Sequence, residues 1–310
     1  MASVAAPGGS RPARFRYVAE RRGFLATLLI SPAVLFIGAL VGAPLVLAIY
    51  LSFTDATAGS ITGPWVGLRN FREAVDNPVF RSALWHTFLF TVISQAVVVV
   101  CAGLLAHALV RNFRGRWFLR FFVLLPWAAP IALTAIGFLW FYDANSSIFN
   151  WFLIHLHIVS KSHVPNWLGT PRFAMSSIIT VQAWRTIPFA TVIFLAGLSS
   201  MPPEVDDAAA MDGATGLKKF WYVSLPLQLP IAIVAVLFGI VFTATDMVVP
   251  YILTNGGPFN STHVLTTLAF QQGIASGNVG EGAAIALFML PLLAFVTVAM
   301  LFFARRAEVT

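Results

Sequence analysis

Residues 203–226 read PEVDDAAAMDGATGLKKFWYVSLP, a polar island between two apolar stretches that are each long enough to cross a membrane. It carries four acids, two lysines and a run of three alanines. Asp206 and Asp207 stand where a helix N-terminus favours negative charge. Ala208, Ala209 and Ala210 make a helix without bulky side chains, which lets another protein's surface come close. Gly213 permits the left-handed residue that ends such a helix, and a second amphipathic piece is expected from Leu217 to Val223. A loop that merely joined two spans would not need this pattern.

The surroundings set the fold class. Of 310 residues, 58% are hydrophobic and 10% charged, against roughly 25% charged in soluble domains. The chain is therefore expected to be an all-α polytopic membrane protein. Six stretches, 24–53, 84–110, 118–142, 173–198, 227–250 and 281–304, reach the roughly 20 residues a spanning helix needs. Prolines inside or at the ends of these stretches predict kinked or re-entrant pieces. Arginines 11, 14, 16, 21, 22, 111, 114, 116, 120, 305 and 306 join Lys218 and Lys219 on one side of the implied membrane. Only Arg69, Arg72, Arg81, Lys161 and Arg172 fall on the other. That bias predicts cytoplasmic termini and a cytoplasmic 201–226 loop. It also accounts for the net charge of +7 without a nucleic-acid partner. Residues 1–22 are expected to be a disordered basic cytoplasmic tail, 23–306 the membrane domain, and 307–310 a cytoplasmic end. The first apolar stretch is about twice the length of a signal-peptide core, which argues for a span and against cleavage. A single cysteine, Cys101, excludes a disulfide within the chain.

The chain has no G-x-x-x-x-G-K-[ST] loop to cradle phosphates, and Gly213–Lys219 lacks that spacing. His155, His157 and His163 share an external loop, where interfacial histidines are the simpler reading than a metal site. No catalytic Ser/His/Asp or Cys/His set is evident, so the expectation is a non-enzyme without a cofactor of its own.

The 203–226 segment resembles the cytoplasmic coupling motif of binding-protein-dependent ABC importer permeases: Glu-Ala-Ala, three residues, Gly, nine residues, Ile, one residue, Leu-Pro. Here Asp207, Ala208 and Ala209 precede Gly213, Val223 and the Leu225–Pro226 pair at those spacings, with Asp for Glu and Val for Ile. Residues 66–71, VGLRNF, and 253–258, LTNGGP, are similar to signatures of the family's carbohydrate branch, as is the LPWAAP kink at 125–130. The overall pattern is similar to the larger permease of maltose importers, without its extra N-terminal spans and large external domain. The basic tail is similar to that of trehalose-importing permeases in mycobacteria.

The resemblance implies a six-helix type I importer permease fold with a cytoplasmic coupling helix. It implies a heterodimer with a second permease subunit, two ABC ATPase subunits that hold ATP and Mg, and an extracytoplasmic sugar-binding protein or lipoprotein. Glu204, Asp207, Ala208, Ala209, Asp212, Gly213, Leu225 and Pro226 would contact the ATPase. The implied cargo is a sugar, a disaccharide such as trehalose or maltose. The alternatives are another solute, such as glycerol phosphate or a polyamine, or a secondary transporter that needs no ATPase.

Ionisable residues inside spans mark functional positions. Arg185 and Asp246 are the clearest, with Glu281 at the edge of the sixth stretch. Gln182, Arg185, Thr186 and Phe189 share one helix face by spacing, and Gly239, Thr243 and Asp246 share another. Trp127 stands between Pro126 and Pro130, where a kink would open backbone polar groups. The resemblance maps the sugar site onto these nine residues, less Glu281, plus Ile131 and Phe242. Arg185 and Asp246 depart from the maltose pattern, which has an apolar residue and an amide there. They satisfy each other as an inter-helix ion pair, contact sugar, or do both.

Overall fold

The computed structural model describes residues 22–60 and 62–308, and the expected tail lies outside the described residues up to Arg22. The chain divides into two compact units, residues 1–50 and 51–310. In the first, helix α1 (Arg22–Ile37) passes through a π turn (Gly38–Gly42) into α2 (Ala43–Ser52), whose last two residues belong to the second unit.

The second unit holds α3 (Arg69–Asp76), α4 (Pro78–Val110), α5 (Arg116–Ala128), α6 (Ile131–Phe141), α7 (Ile148–His155) and α8 (Pro171–Ser199). There follow α9 (Pro203–Met211), α10 (Leu225–Ala244), α11 (Val248–Thr254), α12 (Leu265–Phe270), α13 (Val279–Leu287) and α14 (Met289–Glu308). Among the described residues, extended pairing is confined to two isolated bridges, Thr54 with Trp65 and Thr57 with Ser60. Five helical stretches are long and apolar enough to cross a membrane, and α5 with α6 makes a sixth if that bent pair is one span.

The long helices α4 and α8 pack along each other, and α10 packs on both. Where the three meet, most of the buried residues are small, Ala102 and Ala106 from α4, Ala183 and Ala190 from α8, and Ala235 from α10, with Val98 and Phe194 beside them. Helices in a bilayer gain little from the hydrophobic effect, so close backbone approach is what binds them. A larger cluster around Phe90, Phe138, Tyr142, Ile178 and Val249 fills the space among α4, α6, α8 and α11. Many large apolar side chains remain exposed on the isolated subunit, Trp117, Trp140 and Phe295 among them, as a lipid-facing surface requires.

Three stretches differ from the sequence expectation. Residues 118–142 were expected as one kinked span, but α5 and α6 meet at 99°. Pro130 lacks an N–H and pushes Ala129 out of the helical region, to φ −72° and ψ 138°. The fifth stretch starts earlier and ends earlier than 227–250. It runs as helix from Phe220 to Ala244 and then breaks before α11, so Asp246 lies beyond its end. The piece expected at 217–223 is a single turn, Leu217–Lys219, and a π turn, Phe220–Ser224, continuous with α10.

Two of the carbohydrate-branch signatures are structural devices. The buried Asn70 amide donates to the carbonyls of Ser52 and Thr54, at 2.9 and 2.8 Å, and so ties α3 to the chain that leaves α2. In the 253–258 turn, Gly256 has φ +83° and passes under the His263 ring, where a Cβ would overlap the imidazole. Burial, followed by the neighbouring His86, lowers the His263 pKa from its ordinary value, so the ring is held neutral.

The hairpin of α12 and α13 depends on Gly273 and Gly282, whose backbones cross so closely that a Cβ on Gly282 would overlap the Gly273 backbone. Gly103 on α4 has open space at the same position. Gly282→Ala is expected to lower the unfolding midpoint of the purified protein, in line with the roughly 1–3 kcal/mol cost of overpacking. Gly103→Ala should leave it unchanged or raise it, since alanine is the better helix former by about 1 kcal/mol.

Candidate functional site

The polar island folds into a short arm. Pro203 opens α9 at a position where its missing N–H costs nothing, with Glu204 and Asp206 in the first turn. At the other end Ala214 N–H donates to Ala209 O at 2.8 Å, and Gly213 takes φ +70°. Ala209 is buried, whereas Glu204, Asp207, Ala208, Asp212 and Gly213 are exposed. Met211 projects furthest, at 89% exposure. Leu225 and Pro226 are not on the arm at all, because they begin α10. Lys219 reaches back to Asp206 at 2.8 Å and ties α9 to the root of α10. Sequence reasoning missed this tie, although opposite charges flanking a glycine turn hinted at it.

The mid-span residues converge at the crossing of α8 and α10. Arg185 on α8 meets Asp246 at 2.5 Å, with side chains only 15% and 3% exposed. Asp246 is placed by the break after α10. Its other oxygen accepts from the backbone N–H groups of Val248 and Val249, at 2.7 and 3.2 Å, and so caps the start of α11. The carboxylate thus serves the guanidinium and a helix N-terminus together, which suits a buried charge. Gln182 lies 3.4 Å from both the Arg185 guanidinium and the Thr243 hydroxyl. The Thr186 hydroxyl is spent on its own helix, donating to Gln182 O at 2.6 Å.

Beside this network, Trp127 from α5 stacks on Phe189 at a centroid distance of 5.0 Å and 26° between planes. Phe242 closes the group at 5.8 Å from Trp127 and 5.5 Å from Phe189. Trp127 and Phe242 stay partly exposed. Ile131 packs instead against the apolar cluster of α4, α6 and α8. Glu281 opens the first turn of α13, away from these groups in sequence and outside the network just described.

One wall was not foreseen. A Cβ on Gly239 would overlap the Gln95 amide of α4, so glycine is what admits that side chain. Gln95, Ser94 and Thr91 are buried, and their side-chain polar atoms have no partner among the described residues. Thr87, Thr91, Ser94 and Gln95 recur on one face of an apolar span, and that stripe was the available signal. Between α6 and α8, His155 lies tilted over Trp151 at a centroid distance of 3.9 Å, and His163 bonds Ser160 and Ser162. Among the described residues no three potential metal ligands gather.

Comparison with known proteins places this arrangement. The chain is 34% identical over 238 residues to the trehalose/maltose transport system permease protein MalF of Thermococcus litoralis, covering 77% of this chain and 79% of that one. It is 30% identical over 276 residues to the sulfoquinovosyl glycerol transport system permease protein SmoG of Agrobacterium fabrum, covering 88% of each. A chain of a bacterial ABC transporter involved in alginate import superposes with a TM-score of 0.78 at 18% identity, over 94% of this chain and 99% of that one. The fold is thus the type I importer permease fold expected from the sequence. Residues 99–309 match the family model of the binding-protein-dependent transport system inner membrane component. The chain belongs to that family, the multi-pass membrane permeases of ABC importers.

Proposed function

We propose that the chain is the sugar-translocating permease subunit of an ATP-driven importer, with a disaccharide-sized glycoside as cargo. The observation that carries this reading is the aromatic platform of Trp127, Phe189 and Phe242 beside Arg185, Asp246, Gln182 and Thr243. A pyranose has an apolar C–H face that stacks on rings, and hydroxyls that bond in pairs to planar polar groups. Both surfaces are present at one helix crossing. The two relatives named above are described as carrying trehalose or maltose and sulfoquinovosyl glycerol, all of them glycosides.

In this reading Gly239 serves the site by admitting the Gln95 amide, and Ile131 steadies the start of α6 from within the apolar cluster it packs against. Each terminus and the 201–226 arm face the cytoplasm, as the distribution of Lys and Arg favours. A second permease subunit completes the cavity, two ATPase subunits supply ATP and Mg, and an external binding protein delivers the sugar. The exposed face of α9, with Glu204, Asp207, Ala208, Asp212 and Gly213, sits in the ATPase. Ala209 is buried on the opposite face, and Leu225 and Pro226 begin α10 at the root of the arm. ATP-driven closure of the ATPases moves α9, and α8 and α10 on either side of it carry the movement to the sugar site.

Two outcomes test the reading. Asp246→Ala leaves a guanidinium buried without its partner, a change that costs about 3–5 kcal/mol, so reduced yield and lost uptake are expected. The double variant Arg185→Gln/Asp246→Asn should restore yield, yet still fail to take up labelled trehalose or maltose in proteoliposomes. Uptake at the wild-type rate by the double variant would make the pair purely structural and move the sugar site elsewhere. Separately, Gly213→Leu places a side chain at φ +70° on the exposed turn. It should leave membrane insertion intact while ATP hydrolysis proceeds without uptake. Normal uptake by that variant would remove the arm from the coupling role.

A further inference from the structure

Beneath the α4–α8–α10 bundle, on the side of the 201–226 arm, lies a cavity of about 370 Å³ that the transport reading does not use. Its walls come from the last turn of α4, the end of α8, the arm and the root of α10. Three cationic or cation-forming groups line it: Arg111, Lys219 and His107. One acid, Asp206, faces them. Ser224 adds a hydroxyl and Phe220 an apolar side, its ring 5.1 Å from the imidazole of His107.

Each polar wall group has capacity to spare. His107 Nδ1 lies 2.8 Å from Gly103 O, and a carbonyl only accepts, so Nδ1 carries the hydrogen there. Nε2 is buried and has no partner among the described residues. Such an atom is a costly vacancy unless something polar meets it. Among the described residues Arg111 makes no ion pair, and it is exposed at the mouth. Lys219 is held by Asp206 at 2.8 Å, but two-thirds of the lysine is already out of solvent and it has two further hydrogens to donate. The wall therefore carries a net positive charge, with planar and tetrahedral donors placed around the cavity.

We propose that this cavity binds a phosphate group, with Arg111 and Lys219 as its cations and His107 Nε2 as the third polar contact. A guanidinium forks onto two phosphate oxygens and an ammonium serves as a point charge. The hydroxyl of a monoprotonated phosphate monoester donates to the bare Nε2, whereas a phosphodiester headgroup, which can only accept, is met by the imidazolium form, whose Nε2–H donates to a phosphate oxygen. The Asp206 carboxylate is the unfavourable neighbour: a bound phosphate competes with it for Lys219. That competition gives the site a consequence, since the Lys219–Asp206 contact is what ties α9 to α10. Occupancy loosens the arm, so transport per ATP falls. The phosphate comes either from a soluble phosphate ester or from a lipid headgroup, because the cavity lies at the level of the cytoplasmic cluster of arginines.

The test uses the assembled importer in lipid nanodiscs and reads its unfolding midpoint and its uptake per ATP. One arm titrates inorganic phosphate into discs of phosphatidylcholine alone; the other replaces part of that lipid with phosphatidylglycerol and adds no phosphate. The ATPase subunits bind phosphate on their own account, so the measure is the difference between wild type and Arg111→Gln. That substitution touches neither the arm nor the sugar site, and an exposed arginine is not needed for folding. A rise in midpoint with free phosphate identifies a soluble ligand, and a rise only with phosphatidylglycerol identifies the headgroup. In Arg111→Gln the apparent affinity should fall roughly tenfold, the loss of one charge-assisted contact, and His107→Gln should weaken it too. Identical midpoint shifts in wild type and Arg111→Gln, or none in either arm, would overturn the proposal.

Discussion

Hydrocarbon offers no hydrogen bonds, so every polar group drawn into this bundle must be answered from within the protein. That demand is heaviest at Asp246. A single carboxylate pairs the only arginine in the middle of α8, caps α11 and marks the point where the helix from Phe220 stops. The hydroxyl of Thr266, at the start of α12, lies 3.1 Å from the Asp246 carbonyl and binds the next element to the same spot. Four helices thus take their relative positions from one residue. The aromatic platform is positioned with them, because Phe189 lies one turn beyond Arg185 and Phe242 one turn before Asp246.

The rest of the bundle meets the same condition by other means. Ala102, Ala106, Ala183, Ala190 and Ala235 let the backbones of α4, α8 and α10 approach without calling on a polar atom of their own. Where glycine is used, it admits a specific neighbour: Gly239 admits the Gln95 amide, Gly256 the His263 ring, and Gly282 the backbone of Gly273. The unpartnered Thr91, Ser94 and Gln95 stand out against this economy. Gln95 among them meets α10 at Gly239.

At the other end of the same helices, α9 is short, rich in alanine and exposed on the face opposite Ala209. A helix of nine residues has little stability of its own in water. Its rigidity comes from Pro203, from the backbone bonds around Gly213 and from Lys219. The arm is therefore held at few points, and the cavity of about 370 Å³ lies against one of them.

Much was legible in the residues alone. Apolar length and the placement of Lys and Arg were enough for a multi-span helical protein, and the 203–226 spacing for its family. The expense of either charge alone made pairing of Arg185 with Asp246 one of the readings, beside contact with the sugar, and the folded bundle shows the pair. What could not be read was where helices stop. A proline at 130 reads as a kink, but the size of the bend, 99°, is seen only in the fold. Nothing local at 245–247 breaks a helix strongly, and Asp246 does so because Arg185 and the α11 N–H groups wait for it. Likewise the partner of Gly239 is a glutamine 144 positions earlier in the chain. Periodicity and composition act along the chain, so the sequence by itself determined the class, the approximate places of the spans and the short helix at Pro203–Met211. Contacts between residues distant in the chain were decided only in the folded bundle, because in a medium without water each polar group must wait for whichever helix brings its partner.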